Sequence, residues 1–502
     1  MVAGGVANLF RREQARPSGL AAAPGRVLNR RAFGVLLAGV AGARANIVRE
    51  VDVGARPQLF LHDDRLIESK QNLRLVLNRP RKHAGGPVLV PDRPWELGDI
   101  DYSCFLDDRD EGLYKVWYEA RENNGILGDP SRPERGRCMY ATSKDGLHWE
   151  KPSLRAVDIG GSRDHNVVFT GPSGQRTKVY WIVKDYAEPD PERRYKMMYH
   201  LWDFRGRGLA MAHSPDGIHW TGSRFTSLTG GFDSQNMFLW DDRIGQFAAY
   251  VRSRQEGRRC LARSTSPDGF HWSAPVTVHC PDAQDPPRFD LYTPGVIKLA
   301  NVEHAYVMLT AAFDWDTDSL FGQLALSRDG IRWHRFREPF LPLGATGDWD
   351  SGSIYPVGSE MTVQGKTAIY YRGNSKGHGA GGRPGIGVAF LQMDAFAGWR
   401  ADGEGTLTTP LLHTELLNDG FFLNAQAAGG SIEVELRDAG GAVLPGYSRA
   451  DAASITRDGA SLPARWKSPP ERTVPVRLKL YLRNATVYGF QARRLRPADQ
   501  NQ

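Results

Sequence analysis

The chain has 502 residues, 41% of them hydrophobic, with 13 Trp, 17 Tyr and 55 Gly. That composition supports a large core and roughly two to four domains, and it excludes a disordered or low-complexity chain. Its 64 Lys and Arg against 57 Asp and Glu give a net charge of +7, spread too evenly for a nucleic-acid-binding stripe.

Residues 1–45 have the layout of an export signal. Asn29-Arg30-Arg31-Ala32 precedes an apolar run, Phe33 to Ala43, and Ala43-Arg44-Ala45 supplies a small-x-small cleavage site. The run is shorter than the ~20 residues that span a bilayer. The Arg-Arg-x-Phe pattern resembles a twin-arginine signal, which places the mature protein in the periplasm or outside the cell, free of the membrane. Residues 46–94 carry two strand-like segments, PQLFLHDDRLI and LRLVLNRP. They are expected to pack on the following domain or to supply it with a closing strand.

Between residues 95 and 408 the sequence repeats. SKDGLHW, SPDGIHW, SPDGFHW and SRDGIRW end at Trp149, Trp220, Trp272 and Trp333, and MDAFAGW, ending at Trp399, is a weaker fifth copy. Asp-Gly is a tight-turn signal, because Gly tolerates positive φ and Asp bonds its own backbone. The tag is therefore expected to be structural punctuation after a strand. A second repeat aligns DYSCFLDD from Asp101, DHNVVFTG from Asp164, DSQNMFLWDD from Asp233, DLYTPGVIKL from Asp290 and DSGSIYPVG from Asp350. An apolar strand follows each of these. Five copies of a four-stranded unit predict an all-β, five-bladed β-propeller. Residues 409–502 change to alternating strands with Gly turns, as in SIEVELRDAGG and VRLKLYLRNATVYGFQ, which predicts a C-terminal β-sandwich.

The first strand of each propeller blade lines the axis, so the five aspartates are expected to converge on one mouth. Clustered carboxylates repel one another, so one holds a proton while another stays ionised. That division suits glycosidic cleavage, which needs a proton donor and a base or nucleophile. Asp101 is assigned as base or nucleophile, Asp164 as the tuner of its ionisation and Asp233 as the proton donor. Asp290 and Glu119 are reserves. Asp350, Asp99 and Trp95 are expected to line the mouth. Second strands end near Glu119 and Arg121, His200, Arg252 and Arg372. The two latter arginines either grip an acidic group on a sugar or neutralise the aspartates. His200 and His378 would orient hydroxyls. Trp95, Tyr102, Trp181, Trp202, Tyr292, Trp315 and Trp349 are candidates for stacking on sugar rings.

Four cysteines, Cys104, Cys138, Cys260 and Cys280, leave two alternatives open: local bridges 104–138 and 260–280, or buried thiols. No zinc spacing, P-loop, dinucleotide fingerprint or nucleophile elbow is present, so no metal or cofactor is expected at the site, although a propeller channel has room for a structural calcium. The partner is a carbohydrate, not a nucleic acid or membrane, and the oligomeric state is left open.

The tag and the aspartate ring together resemble the five-bladed propeller glycoside hydrolases, the superfamily that includes families 32 and 43. PWE, SKDGLHWEKP, SRDHNVV, SPDGIHW, WDSG and LNA…GSIEVELRDAGG…PGYS are similar to exported bacterial proteins labelled "family 32 N-terminal domain-like". The resemblance spans about residues 57–490 and implies an exported glycoside hydrolase. It also implies that the first- and second-blade acids correspond to Asp101 and Asp164. The chain departs from the pattern at the third acid, a Glu in those families and Asp233 here, and it lacks the WMNDPNG and EC signatures. The alternative is a non-catalytic carbohydrate-binding propeller. Amino-terminal sequencing of protein exported by the native host should find a chain beginning just after Ala45; a mature chain beginning at Met1 would exclude this export route.

Overall fold

A computed structural model describes residues 49–494 and 496, apart from 98, 122–135, 173–175, 204–205, 303, 379–380, 416–418 and 468. The expected export signal lies outside the described residues, as do the side chains of Arg121 and Trp202. The described residues are all-β, with two short 3₁₀ turns at Pro94–Glu96 and Pro191–Arg193. No helix among the described residues is long and apolar enough to cross a membrane.

Three four-stranded antiparallel sheets follow in chain order. The first comprises Ser103–Asp108, Leu113–Arg121, Gly136–Ser143 and Val167–Phe169. The second comprises Arg176–Lys184, Tyr195–Asp203, Gly206–Ser214 and Thr221–Thr229. The third comprises Met237–Asp241, Gln246–Gln255, Arg258–Ser266 and Val276–His279. Two further groups share a ten-stranded sheet, joined by one parallel pairing of Leu320 with Ser353. The fourth group holds Phe289–Thr293, Val296–Lys298, Tyr306–Asp314, Ser319–Ser327 and His334–Arg335. The fifth holds Ser353–Pro356, Thr362–Val363, Lys366–Asn374 and Gly385–Gln392, and Arg81–Lys82 from the N-terminal segment completes it. That segment thus supplies a closing strand.

Second strands are buried on both faces, as in Val116–Ala120, Met197–Leu201 and Phe247–Val251. A strand packed between two sheets loses the period-2 alternation and reads as a continuous apolar run. Tyr118, Tyr199, Tyr250 and Tyr370, from four different groups, belong to one buried cluster.

The four tags share one geometry. Ser143, Ser214, Ser266 and Ser327 each accept the N–H of the tag glycine at 2.9 Å. The tag Asp Oδ1 accepts the two backbone N–H groups that follow the glycine, as from Leu147 and His148 to Asp145 at 2.8 Å. The glycines hold positive φ, 74° at Gly146 and 78° at Gly217, which a side chain would strain. Each turn presents a carbonyl that an aromatic donor captures. Trp117 Nε1 donates to Gly217 at 2.7 Å, Tyr250 Oη to Gly330 at 2.8 Å and Tyr370 Oη to Gly146 at 2.6 Å. In all three the donor belongs to the preceding group, and Tyr370 links the fifth group back to the first. Gly269 differs: it receives Nε1 of its own Trp272 at 2.7 Å.

Two expectations are corrected. DHNVVFTG does not open a unit, because Val167–Phe169 pairs with Gly136–Ser143 as the edge strand of the first sheet. An Asp followed by an apolar strand marks either edge of a sheet equally well. MDAFAGW is no tag: Ala follows Asp394, and Trp399 lies in Ala397–Arg400, which pairs with Arg74–Leu77.

The remaining strands form a parallel pair, Glu50–Val53 with Leu411–Thr414, and two larger sheets over a shared apolar cluster that includes Leu407, Phe421, Val434, Leu480 and Phe490. Arg74–Leu77, Ala397–Arg400 and Glu404–Thr408 belong to these sheets. The boundary expected at 408/409 therefore cuts through both, since long-range pairing leaves no trace in composition. Replacing Tyr370 by Phe removes the donor to the Gly146 carbonyl and should lower unfolding free energy by about 1–3 kcal/mol, read by urea denaturation; an unchanged midpoint would show that this latch carries no stability.

Candidate functional site

The starting ends of the first strands bring together chemistry from all five groups. Asp101 lies two residues before Ser103–Asp108, is buried, and donates its backbone N–H to Glu119 O at 2.7 Å. The second group contributes Lys178, whose Nζ lies 3.6 Å from Asp101 Oδ2 and 4.5 Å above the Tyr102 ring. The same Nζ donates to the backbone carbonyl of Asp233 at 3.1 Å. Asp233 is ion-paired with Arg252 of the third group, and its side chain is 60% exposed. Arg252 is positioned by its backbone N–H, which donates to Asn236 Oδ1 at 2.8 Å. Burial first, then the neighbouring Arg259 and Arg254, pull its guanidinium below the ordinary value.

From the fourth group, Tyr292 shares a 2.8 Å hydrogen bond with His378 Nε2 and lies 4.4 Å beneath the Arg259 guanidinium. Burial and Arg259 hold the His378 imidazole below its usual value, while Asp318 and Asp101 pull it upward. Asp290 accepts the Arg259 backbone N–H at 2.8 Å and Trp315 Nε1 at 2.9 Å. In the fifth group, Arg372 Nε donates to Ile100 O at 2.6 Å, while Nη2 lies 3.6 Å from Asp99. Its guanidinium also sits 5.2 Å from the Tyr355 ring.

Glu119 is buried beside this cluster. A Cβ on Gly136 would stand 2.5 Å from Glu119 Oε1 and 2.6 Å from Thr177 O, so glycine makes room for the carboxylate. His200 is fully buried with Nε2 3.2 Å from Gly230 O. Tyr180 Oη donates to Phe232 O. Both therefore brace the loop that carries Asp233 and do not orient sugar hydroxyls directly.

Three expected members stand elsewhere. Asp164 is exposed, with its N–H on Ser162 Oγ, ahead of the edge strand of the first sheet. Lys178 takes the place in the ring that Asp164 was assigned. Asp350 is buried against Lys82 Nζ at 2.7 Å and Tyr371 Oη at 3.0 Å, so it anchors the closing strand. Trp95 donates to Asn166 Oδ1 at 2.7 Å and packs along the first sheet. Of the other aromatics, Trp315 serves Asp290 and Trp349 stacks on Tyr371.

Sequence reasoning missed Lys178 and Arg259. Lys178 is a cation at the start of the apolar strand TKVYWIV, and that was the signal available, whereas Arg259 lies in the mixed strand RRCLARSTS, which offers none. Cys260, next to Arg259, is bridged to Cys280, whereas Cys104 and Cys138 are buried free thiols. Among the described residues no group of three or more His, Cys, Asp or Glu is placed to hold a metal ion.

No family model matches the chain, and no curated protein does. Among solved structures, a glycoside hydrolase aligns at 14% identity over 64% of this chain and 94% of its own, with a TM-score of 0.44. An N-acetylgalactosamine deacetylase from F. plautii, in complex with blood group B trisaccharide, aligns at 16% identity over 67% and 94%, with a TM-score of 0.40. A β-1,2-mannobiose phosphorylase from Listeria innocua aligns at 13% identity over 64% and 97%, with a TM-score of 0.41. Likeness this distant assigns neither fold nor activity. The Cys260–Cys280 bridge closes a 20-residue separation, so Cys280→Ser should cost about 3 kcal/mol in denaturant unfolding; equal stability of variant and parent under oxidising conditions would exclude the bridge.

Proposed function

We propose that the chain is an exported carbohydrate-active enzyme, a glycoside hydrolase built on a five-bladed propeller followed by a two-sheet sandwich. The ring is supported by the aromatic-to-glycine latches, above all Tyr370 to Gly146. Export is supported by the Cys260–Cys280 bridge, a feature of oxidising compartments.

The observation that carries the function is the convergence of Asp101, Lys178, Asp233, Arg252, Tyr292 and Arg372 from five strand groups at one end of their first strands. Lys178 beside Asp101 favours the ionised carboxylate, which suits a base or nucleophile. Arg252 likewise favours ionised Asp233, so donation of a proton by Asp233 requires the incoming sugar to loosen that pair. Glu119, buried beside the same cluster, is the competing donor. The Tyr102, Tyr292 and Tyr355 rings each carry one of the cations, Lys178, Arg259 and Arg372 respectively, and so help to fix them at the mouth. Asp164 has no role in this site.

A second reading, a non-catalytic carbohydrate-binding propeller, draws on one specific observation. Each mouth aspartate faces a cation: Asp101 with Lys178, Asp233 with Arg252, Asp290 with Arg259 and Asp99 with Arg372. The test is a hydrolysis screen of the mature protein over plant, algal and bacterial glycans, followed by variants. Asp101→Asn should lower kcat by roughly 10³-fold with an unchanged melting temperature. Whichever of Asp233→Asn and Glu119→Gln causes the comparable loss identifies the donor. Lys178→Met should move the acid limb of the kcat/KM profile to higher pH, because the cation that stabilises the Asp101 carboxylate is gone. Saccharide binding without turnover on any glycan would establish the second reading, and full activity in Asp101→Asn would remove that residue.

A further inference from the structure

The finishing ends of the same first strands frame a cavity of about 630 Å³, to which all five groups contribute. That volume lies in the range of small-molecule sites. Its inner wall is apolar, with Phe105, Trp181, Phe238 and Phe247 buried. At its margin two aromatic side chains stay open to solvent, Trp240 at 38% and Tyr186 at 56% exposure. Trp240 is not a loose surface group: Phe247 meets its ring edge-on, with centroids 5.0 Å apart. An indole fixed at the lip of an apolar cavity is a ready stacking platform.

The charges around the cavity decide what kind of ligand fits. Lys184 is held by Asp108 at 2.6 Å and Asp110 at 3.0 Å, Lys298 pairs with Asp242, and Arg109 faces Asp107 at 3.8 Å. Every lining cation is thus matched by an acid. Glu360 adds a further carboxyl, and both its oxygens face the Ala300 N–H, at 3.0 and 3.1 Å. Burial pushes it up to about 7, so near neutrality it is able to donate as well as accept. An anion finds no spare positive charge here. A molecule with an apolar face and a ring of hydroxyls matches both the aromatic platform and the carboxyl margin.

We infer that this cavity is a second saccharide-binding site, separate from the Asp101 mouth, in which a neutral sugar ring stacks on Trp240 and Tyr186 while its hydroxyls bond to Glu360 and Asp242. The site stands whether or not Asp101 carries chemistry. Its place at the far end of the first strands lets a polysaccharide be held by one face while the other is free.

Native affinity electrophoresis of the mature chain tests this, in gels cast with neutral β-glucan, galactomannan, arabinoxylan or arabinan, and with pectin and carrageenan as anionic counterparts. At least one neutral polysaccharide should retard the parent protein and Asp101→Asn equally. Trp240→Ala should weaken that retardation at least tenfold in apparent Kd, and Trp240→Tyr should retain most of it. Should Trp240→Ala melt early, the more exposed Tyr186→Ala replaces it, with the same expected loss. The inference is overturned by retardation that survives both alanine variants, by retardation lost in Tyr102→Ala instead, by retardation on anionic polysaccharides alone, or by none on any gel. Turnover assays on Asp101→Asn report on the mouth independently, so failure of one site is distinguishable from failure of the other.

Discussion

A backbone carbonyl at the crest of an Asp-Gly turn is the constraint on which much of this molecule depends. The turn is fixed locally, by a serine hydroxyl, an aspartate and a glycine at positive φ. At three of the four turns the glycine carbonyl is taken by a donor from outside its own sheet. Left without a donor in a buried setting, it would cost about as much as a lost hydrogen bond. Trp117, Tyr250 and Tyr370 supply the donor from the preceding strand group. A local turn motif is thereby converted into a contact between groups, and its geometry sets how one sheet stands against the next. The tag tryptophans add to the joint: Trp149 and Trp333 meet Tyr370 and Tyr250 edge-on.

With the sheets registered in this way, the starting ends of the first strands come close enough for their charges to matter. Carboxylates gathered in a partly buried place are costly unless paired. Here the pairing runs between groups: Lys178 reaches Asp101, and Arg372 reaches Asp99 and the Ile100 carbonyl. The same cations hold neighbouring groups together at this end of the strands. That role explains why the mouth contains so many basic side chains beside its carboxylates.

The two ends of the first strands differ in character for a related reason. At the starting end, charged residues from first, second and third strands interleave and pair. At the finishing end the strands deliver apolar side chains and the margin is left to aromatics and carboxyls, with lysines already committed to Asp108 and Asp242. One scaffold thus presents two chemically distinct openings, the first lined by paired charges and the second by aromatics and carboxyls.

Local features of this protein were legible in the amino-acid order. The tags announce their turns because Ser, Asp and Gly act within seven residues. The apolar second strands announce double-sided burial through unbroken hydrophobic runs. Asp101, Asp233, Arg252, Tyr292 and Arg372 were identifiable because a repeated pattern places equivalent residues at equivalent strand ends. Tertiary structure alone decided the rest. Whether DHNVVFTG was an opening strand or an edge strand depended on its partner, Gly136–Ser143, which made Asp164 an exposed loop residue. Whether Asp350 faced the mouth depended on Lys82, 268 residues away, arriving on the closing strand. Lys178 and Arg259 gained their meaning only from the acids they meet. Patterns within a strand are written in neighbouring residues, whereas the identity of a strand's partner and the charge opposite each side chain arise from contacts between distant segments, which no local pattern encodes.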